Sequence, residues 1–284
     1  MFSRLRTYGS FIRFSHSVFA LPFALTGALL ASRTHEVGAR QIFWIVAAMV
    51  CARSAAMGFN RLADATFDAG NPRTAGRELP QGTISRGEAI VFVGIASLGF
   101  VFCASRLSTL CLVLSPIALM IVFWYSLAKR FTWSTQLFLG LAMAVAPVGG
   151  WLAAGGRGGL EPWLLALAIG LWVGGFDVLY ACQDLAVDRA QGLKSIPVRF
   201  GIARSLTISR LMHVGAVVSL ASVAFIVPLG WVYLVGVGIV AVLLVYEQSL
   251  VSPNDLTRVK QAFDLNGYVG ILYFIVTAIS VYVA

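Results

Sequence analysis

Predominantly apolar stretches of about twenty residues recur along the whole 284-residue sequence, and this recurrence limits the possible folds more than any other feature. A stretch of that length crosses the hydrocarbon core of a bilayer, roughly 30 Å thick, when it forms an α-helix. Hydrophobic residues make up 59% of the chain and charged residues only 12%, too few to cover a soluble surface. Because lipid cannot hydrogen-bond to the backbone, such stretches satisfy their own peptide groups as helices. The sequence therefore predicts an all-α integral membrane protein embedded in the lipid bilayer and excludes an ordinary soluble enzyme.

Nine of these stretches are long enough to span the membrane, and the segments between them are too short to form a separate soluble domain. We therefore predict a single polytopic domain, residues 1–284, with nine transmembrane helices. The predicted spans are His16–Ser32, Gln41–Leu62, Glu88–Ala104, Ser108–Ala128, Thr135–Ala153, Pro162–Cys182, Leu206–Pro228, Trp231–Val251 and Asp264–Ala284.

The basic residues predict the orientation of the chain, because Lys and Arg accumulate on the cytoplasmic side of membrane proteins. If the N-terminus is cytoplasmic, 15 of the 21 Lys and Arg residues face the cytoplasm, four face outside, and Arg53 and Arg210 lie within spans. The two longest polar loops then also face the cytoplasm. We expect a protein of the bacterial cytoplasmic (inner) membrane. Its net charge of +9 reflects this topology, so nucleic acid is not expected as a partner.

The first group of polar residues lies at the cytoplasmic end of the second predicted span. Asn60, Asp64 and Asp68 are spaced four residues apart, so they share one face if the helix continues beyond Leu62. A charged Asp in the apolar core costs roughly 2.5–3.5 kcal/mol on insertion scales, so acids at such positions normally mark a function or a partner. A single D-x-x-x-D pattern is common on helices, however, and alone it only weakly predicts a metal site.

A second group repeats this pattern at the end of the sixth predicted span. Tyr180, Asp184 and Asp188 have the same spacing, and Asp177 lies about one turn before Tyr180. Two such motifs after comparable spans indicate two pseudo-repeated halves that face each other across a central cavity. Several carboxylates in one cavity repel each other unless cations neutralise them. Oxygen ligands of this kind favour Mg²⁺, which commonly bridges one or two carboxylates to substrate phosphates.

Basic residues in the adjoining loops carry the complementary charge. They are Arg73, Arg77 and Arg86 after the first motif, Lys129 and Arg130 after the fourth span, and Arg189, Lys194 and Arg199 after the second motif. Topology alone accounts for basic residues on this side of the membrane. A Mg²⁺-bound diphosphate at the membrane surface accounts for the acids and the bases together. The residues therefore predict a Mg²⁺–diphosphate site.

Taken together, these residues resemble the UbiA-type intramembrane aromatic prenyltransferases along nearly the whole chain. The motifs that carry the resemblance are Asn60-x-x-x-Asp64-x-x-x-Asp68 with Asn71-Pro72-Arg73-Thr74, Tyr125-Ser-Leu-Ala-Lys129-Arg130, Asp177-x-x-Tyr180-x-x-x-Asp184-x-x-x-Asp188 with Gly192-Leu193-Lys194-Ser195, and the opening Arg13-Phe-Ser-His16. The resemblance implies a nine-helix bundle around a central cavity. It also implies that Mg²⁺ held by both motifs binds a polyprenyl diphosphate, which ionises to a carbocation that alkylates an aromatic ring.

The resemblance also implies a role for each motif residue. The first Mg²⁺–diphosphate motif would comprise Asn60, Asp64 and Asp68, and the second Asp184 and Asp188, with the four aspartates as the catalytic groups. Further substrate contacts are expected from Arg73, Arg77, Tyr125, Lys129, Asp177, Tyr180 and Lys194. Arg130 is the candidate for binding the acceptor's carboxylate, since a guanidinium pairs with a carboxylate through two parallel hydrogen bonds.

The expected acceptor is an aromatic carboxylate of the 4-hydroxybenzoate or dihydroxynaphthoate type, used in making respiratory quinones. The run from Tyr180 to Asp184 together with Gly192–Pro197 looks closer to the menaquinone (futalosine-pathway) branch than to the 4-hydroxybenzoate branch. Haem, chlorophyll and glyceryl-lipid acceptors are alternatives within the family. A transporter is an alternative outside it, but its acids are expected near the bilayer midplane. A CDP-alcohol phosphotransferase would carry a D-G-x-x-A-R run, which this sequence lacks.

Overall fold

The computed structural model describes residues 2–12 and 20–283, which form eleven α-helices and one short 3₁₀ turn. The helices are α1 Phe2–Phe11, α2 Leu21–Ala31, α3 Ala39–Ala69, α4 Arg86–Leu107, α5 Thr109–Phe131, α6 Thr135–Ala153, α7 Glu161–Ala181, α8 Leu185–Ala190, α9 Ile196–Ile226, α10 Gly230–Ser249 and α11 Val259–Val283. The 3₁₀ turn, Cys182–Asp184, joins α7 to α8.

Eight segments of the described chain are long and apolar enough to cross a bilayer, which confirms an all-helical integral membrane protein. They are α3, α4, α5, α6, α7 together with α8, α9, α10 and α11. The remaining predicted span, His16–Ser32, begins among residues 13–19, which lie outside the described residues, as do Arg13 and His16 of the opening motif. Its described part is α2, an apolar helix of 11 residues. Nine crossings and a pseudo-repeat therefore stay predictions.

Helices that follow each other in the sequence pack side by side around a ring. Each of α3 to α6 contacts the next helix in the chain, α7 contacts α6 and α9, and α10 lies between α9 and α11. The ring closes at α2, which contacts both α11 and α3 and also packs firmly against α6. A Cβ on Gly27 would overlap the carbonyl of Pro147, and one on Gly150 would overlap the carbonyl of Ala24. Glycine thus permits the close approach of α2 and α6, as small residues do in membrane bundles.

Helices α3 and α9 extend well beyond the predicted spans, and both additions contribute to the site described below. Helix α3 has 31 residues and continues past Leu62 to Ala69. Helix α9 begins at Ile196 instead of the predicted Leu206, because the Ser195 hydroxyl caps it by accepting from the Val198 N–H. Its first turn precedes a kink at Gly201, where φ is 76°, a conformation that glycine adopts without strain.

Candidate active site

A cavity of ≈ 300 Å³ brings both carboxylate motifs together at one end of the helix ring. Of the 13 site residues predicted from the sequence, all but Arg130 line it. The lining residues from that set are Asn60, Asp64, Asp68, Arg73, Arg77, Tyr125, Lys129, Asp177, Tyr180, Asp184, Asp188 and Lys194. Motifs that are far apart in the sequence thus face the same space, as expected.

Helix α3 presents the first motif on one face. The helix is continuous through Asn60, Asp64 and Asp68, which confirms the expectation that it extends beyond Leu62. Both aspartates are buried, at 5% and 6% exposure. Buried carboxylates need partners, because an isolated charge loses its hydration.

Two basic side chains of α5 hold Asp64. Lys129 Nζ lies 2.9 Å from Asp64 Oδ2, and Arg130 Nη2 lies 3.2 Å from Oδ1. The amide of Asn60 donates to Asp64 Oδ2 and to Ser126 Oγ, both at 3.3 Å. Lys129 and Arg130 together carry more positive charge than Asp64 neutralises, so the space beside them favours an anion.

Asp68 pairs with Arg77 from the loop that follows α3. Arg77 Nη1 lies 2.7 Å from both carboxylate oxygens. Thr74 Oγ1 donates to the backbone carbonyl of Asp68 at 3.1 Å, which folds the loop back over the end of the helix. The neighbouring Glu78 is bound elsewhere, since it accepts from Ser10 Oγ at 2.6 Å. Arg77 itself lines the cavity.

Arg73 connects the two motifs across the cavity. Its Nε and Nη2 donate to Asp184 Oδ1 and Oδ2 at 3.0 and 2.6 Å, and its Nη1 donates to the Tyr180 hydroxyl at 3.1 Å. Asn71 Nδ2 also donates to Asp184 Oδ1, at 3.2 Å. Burial lowers the pKa of Arg73, but the hydrogen bond and charge of Asp184 outweigh burial and raise it. This bidentate pair fastens the loop after α3 to the second motif.

The second motif does not lie on a continuous α-helix, contrary to the prediction. Helix α7 ends at Ala181, and Asp184 lies in the 3₁₀ turn before α8. The Gln183 side chain donates to the Tyr180 carbonyl at 2.9 Å, the acceptor that an uninterrupted α-helix would offer to the Asp184 N–H. Tyr180, Asp184 and Asp188 line the cavity nonetheless. Among the described residues, Asp177 and Asp188 form no ion pair, unlike Asp184.

The segment after α8 closes this end of the cavity through hydrogen bonds to α3 and α5. Gln191 Nε2 donates to the Phe67 carbonyl at 3.0 Å. The Lys194 N–H donates to the Lys129 carbonyl at 2.8 Å, and Lys194 Nζ donates to the Phe131 carbonyl at 3.2 Å. The Lys194 backbone is thus tied to the end of α5 that carries Lys129, and both lysines line the cavity.

Arg130 does not occupy the place expected for an acceptor ligand. Its Nη1 donates to the Ser126 carbonyl at 2.8 Å, and its Nη2 donates to the Ala63 carbonyl at 2.6 Å and to Asp64 Oδ1 at 3.2 Å. Successive residues on a helix point about 100° apart, so Lys129 faces the cavity while Arg130 faces α3. In this structure Arg130 therefore contacts Asp64 and ties α5 to α3, and its expected role toward the acceptor carboxylate stays a prediction.

Several polar residues that were given no role from the sequence also line the cavity, among them Arg53, Asn71 and Gln136. Arg53 lines it from α3, about two helical turns before Asn60 and on the same face. An arginine inside a span is itself a functional signal, which the orientation count did not use. Asn71 bonds to Asp184, and Gln136 Oε1 accepts from the Ile196 N–H at 3.1 Å, which positions the start of α9. Asn71 belongs to the Asn71–Thr74 motif but was given no role from the sequence, and no sequence pattern marks Gln136.

Part of the cavity wall is apolar. It is formed by side chains that include Leu139, Met143, Val173, Phe176 and Phe263. A charged, hydrogen-bonding end next to an apolar wall suits an amphiphile with an anionic head and a hydrocarbon tail.

The carboxylates are suitable ligands for a divalent cation, although they do not form a closed protein cage. Within the described residues, no three His, Cys, Asp or Glu side chains converge closely enough to hold a metal ion by themselves. Magnesium usually binds through one or two carboxylates and completes its octahedron with water and substrate phosphates. The hard oxygen donors of Asp64, Asp68, Asp184 and Asp188 therefore fit Mg²⁺ that shares its coordination with a phosphate-bearing substrate.

Comparison with known proteins matches the chain to the UbiA prenyltransferase family over residues 20–275. It is 32% identical over 242 residues to the 4-hydroxybenzoate octaprenyltransferase of Citrobacter koseri, covering 84% of this chain and 83% of the relative. A UbiA homologue from Aeropyrum pernix K1 superposes with a TM-score of 0.85 at 35% identity, covering 92% and 96% of the two chains. A UbiA homologue from Archaeoglobus fulgidus bound to GPP and Mg²⁺ superposes with a TM-score of 0.69 at 18% identity, covering 96% and 99%.

The family match and the relatives each extend over most of the chain. They include both motif segments and the helices that carry them. The fold, the cavity and these matches agree: the chain belongs to the UbiA prenyltransferase family and is a membrane-bound prenyltransferase.

Proposed function

We propose that the protein transfers a polyprenyl group from polyprenyl diphosphate to an aromatic carboxylate of the 4-hydroxybenzoate or dihydroxynaphthoate type, with Mg²⁺, in respiratory quinone biosynthesis. The observation that carries the proposal is one cavity where two acidic motifs, paired with basic side chains, adjoin an apolar wall. The relatives named 4-hydroxybenzoate octaprenyltransferases support the reaction, and the neighbour bound to GPP and Mg²⁺ supports the cofactor. We place the enzyme in the bacterial cytoplasmic membrane with its N-terminus and both motif loops in the cytoplasm.

The diphosphate head binds at the polar end of the cavity. Mg²⁺ held by Asp64, Asp68, Asp184 and Asp188, with Asn60, would neutralise the phosphate oxygens and favour departure of the diphosphate. The side chains of Arg73, Arg77, Lys129 and Lys194 line the same space. The first three pair with motif carboxylates at 2.6 to 2.9 Å, so a bound anion lies within reach of the same donors.

Cleavage of the allylic bond moves negative charge onto the departing diphosphate. Positively charged groups that are already in place stabilise this charge without a reorganisation cost. Lys129 is fixed by Asp64, and Arg73 by both oxygens of Asp184, so their positions are set before the substrate binds. The allylic cation meets the apolar wall instead of water, which protects it until the ring attacks. The protein needs no nucleophilic side chain for this reaction.

Arg53 replaces Arg130 as the residue proposed to bind the acceptor carboxylate. Arg53 lines the cavity, whereas Arg130 is not among its lining residues. Seven residues of α-helix separate Arg53 from Asn60, which corresponds to roughly 10 Å along α3. A carboxylate held at Arg53 therefore places the acceptor's aromatic ring between the apolar wall and the polar end of the cavity, where the diphosphate binds.

Product analysis with a panel of acceptors tests the proposal. Membranes containing the protein are incubated with radiolabelled polyprenyl diphosphate, Mg²⁺ and one of four acceptors: 4-hydroxybenzoate, a dihydroxynaphthoate, the matching phenol or naphthol without carboxylate, and a glyceryl phosphate. We expect prenylated product only with the aromatic carboxylates. Equal reaction with the decarboxylated acceptors, or reaction with the glyceryl phosphate alone, would contradict the proposed acceptor class.

A further inference from the structure

A second cavity, of ≈ 390 Å³, lies beside the first and opens to the surface. It is formed where α5 ends and α9 begins, at the same end of the bundle as the carboxylate motifs. Its walls include Phe131, Trp133, Val198 and two cations, Lys194 and Arg199. The chemistry proposed above uses Lys194 but leaves Arg199 and the rest of this cavity without a role.

The second cavity is positively charged. Of the described residues that line it, none is acidic, and no described carboxylate lies within ion-pair distance of Lys194 or Arg199. The Arg199 guanidinium lies over the ring of Trp133 at 5.0 Å and over that of Phe200 at 5.5 Å. These two rings pack edge to face with centroids 5.3 Å apart. These cation–π contacts hold the guanidinium in place, and no described carboxylate competes with an anion for its N–H groups.

The rim of the second cavity is aromatic and exposed. Phe131 is 62% exposed and stacks on Trp124, which is 48% exposed, with ring centroids 6.1 Å apart. Trp133 is 37% exposed. Large exposed aromatics at the ends of membrane helices normally lie at the level of the lipid headgroups. The cations therefore lie at headgroup depth, next to the bilayer.

We propose that this cavity binds the phosphate headgroup of an anionic phospholipid. Basic pockets between membrane helices on the cytoplasmic side bind such headgroups. The two cations meet the lipid phosphate, and the exposed rings of Phe131 and Trp133 meet the upper part of its acyl chains. A free phosphate would use the same cations but would gain nothing from the aromatic rim. Because Lys194 and Ser195 line both cavities, the bound lipid lies directly against the wall of the prenyl transfer site.

Native mass spectrometry tests this lipid site on the purified, full-length protein. The protein in detergent is mixed with equimolar phosphatidylglycerol and phosphatidylcholine, and the identity of the first bound lipid is measured. We expect a preference for phosphatidylglycerol that falls about fivefold in Arg199→Gln, since the variant removes one basic group from the headgroup. Arg204→Gln is the matched control, because Arg204 is an exposed basic residue of the same helix that does not line the cavity.

Two further measurements separate a lipid site from general surface charge and from a free-phosphate site. Trp133→Leu keeps both cations but removes the ring that holds Arg199, and we expect it to reduce the preference as well. Inorganic phosphate, which is not a product of the prenyl transfer reaction, should not displace the retained phosphatidylglycerol. Equal losses in Arg199→Gln and Arg204→Gln would overturn the proposal in favour of general surface charge. Displacement of the lipid by inorganic phosphate would overturn it in favour of a free-phosphate site.

Discussion

Replacing Arg130 with lysine retains the positive charge but removes the fork that joins α5 to α3. The guanidinium donates to Ser126 within α5 and to both the Ala63 carbonyl and the Asp64 carboxylate of α3. A lysine ammonium at this position is a single point that cannot reach all three oxygens at once. Arg130→Lys should therefore leave Asp64 held mainly by Lys129, at 2.9 Å, and by Asn60.

The loss of one charged hydrogen bond sets the expected magnitude. Such a bond contributes about 1.5–3 kcal/mol. If that stabilisation is lost from the transition state, turnover falls roughly 10- to 150-fold. Because Asp64 belongs to the proposed diphosphate site, the KM for prenyl diphosphate should rise as well, whereas the KM for the aromatic acceptor should stay close to that of the wild type.

Steady-state kinetics with each substrate varied in turn provides the assay, and Arg53→Lys provides the matched comparison. Losing a charged pair with the acceptor carboxylate costs about 2–5 kcal/mol, so Arg53→Lys should raise the acceptor KM strongly and leave the diphosphate KM unchanged. Thermal unfolding in detergent checks that both variants remain folded. If Arg130→Lys raised only the acceptor KM, Arg130 would face the acceptor and the positioning role would be refuted.

Three further predictions test the packing, the orientation and the link between the motifs. Gly150→Ala forces a Cβ against the backbone of α2 and should lower stability by about 1–3 kcal/mol, seen as a lower Tm. A Cβ on Gly149 meets no atom within 4 Å, so Gly149→Ala should leave the Tm unchanged. Equal Tm values for the two variants would contradict the close packing. In a Cys-free background, Gly76→Cys should resist an impermeant thiol reagent in intact cells and Arg157→Cys should react, and the reverse result would invert the topology. Arg73→Lys loses the bidentate pair with Asp184, so kcat/KM for prenyl diphosphate should fall about tenfold or more, and an unchanged value would remove Arg73 from the site.

The sequence predicts the first motif well because its order is local. A spacing of four on a continuous helix places Asn60, Asp64 and Asp68 on one face, whatever the rest of the fold does. Hydropathy likewise predicts the membrane spans, because their length is set by bilayer thickness. The ends of α3 and α9 were less predictable, since caps and loop contacts determine where a polar helix stops or starts.

The remaining features depend on contacts between distant segments. The adjacent Lys129 and Arg130 look equivalent in the sequence, but only the packing of α5 against α3 decides that one faces the cavity and the other faces Ala63 and Asp64. The 3₁₀ turn at Asp184 also has no periodic signal. Arg53 could have been found from the sequence, because an arginine inside a membrane span normally marks a function.

The proposed chemistry requires that both motifs act on a single diphosphate. The most direct test measures prenylated acceptor and released pyrophosphate together, in purified wild-type protein and in Asp64→Asn and Asp184→Asn. Wild type should form the two products in a one-to-one ratio with Mg²⁺ and neither product in EDTA. Each variant should lose turnover by orders of magnitude while remaining folded, because the substitution keeps the side-chain volume but removes a charged oxygen ligand. Near-normal product formation in either variant, or in EDTA, would contradict a Mg²⁺–diphosphate site shared by the two motifs.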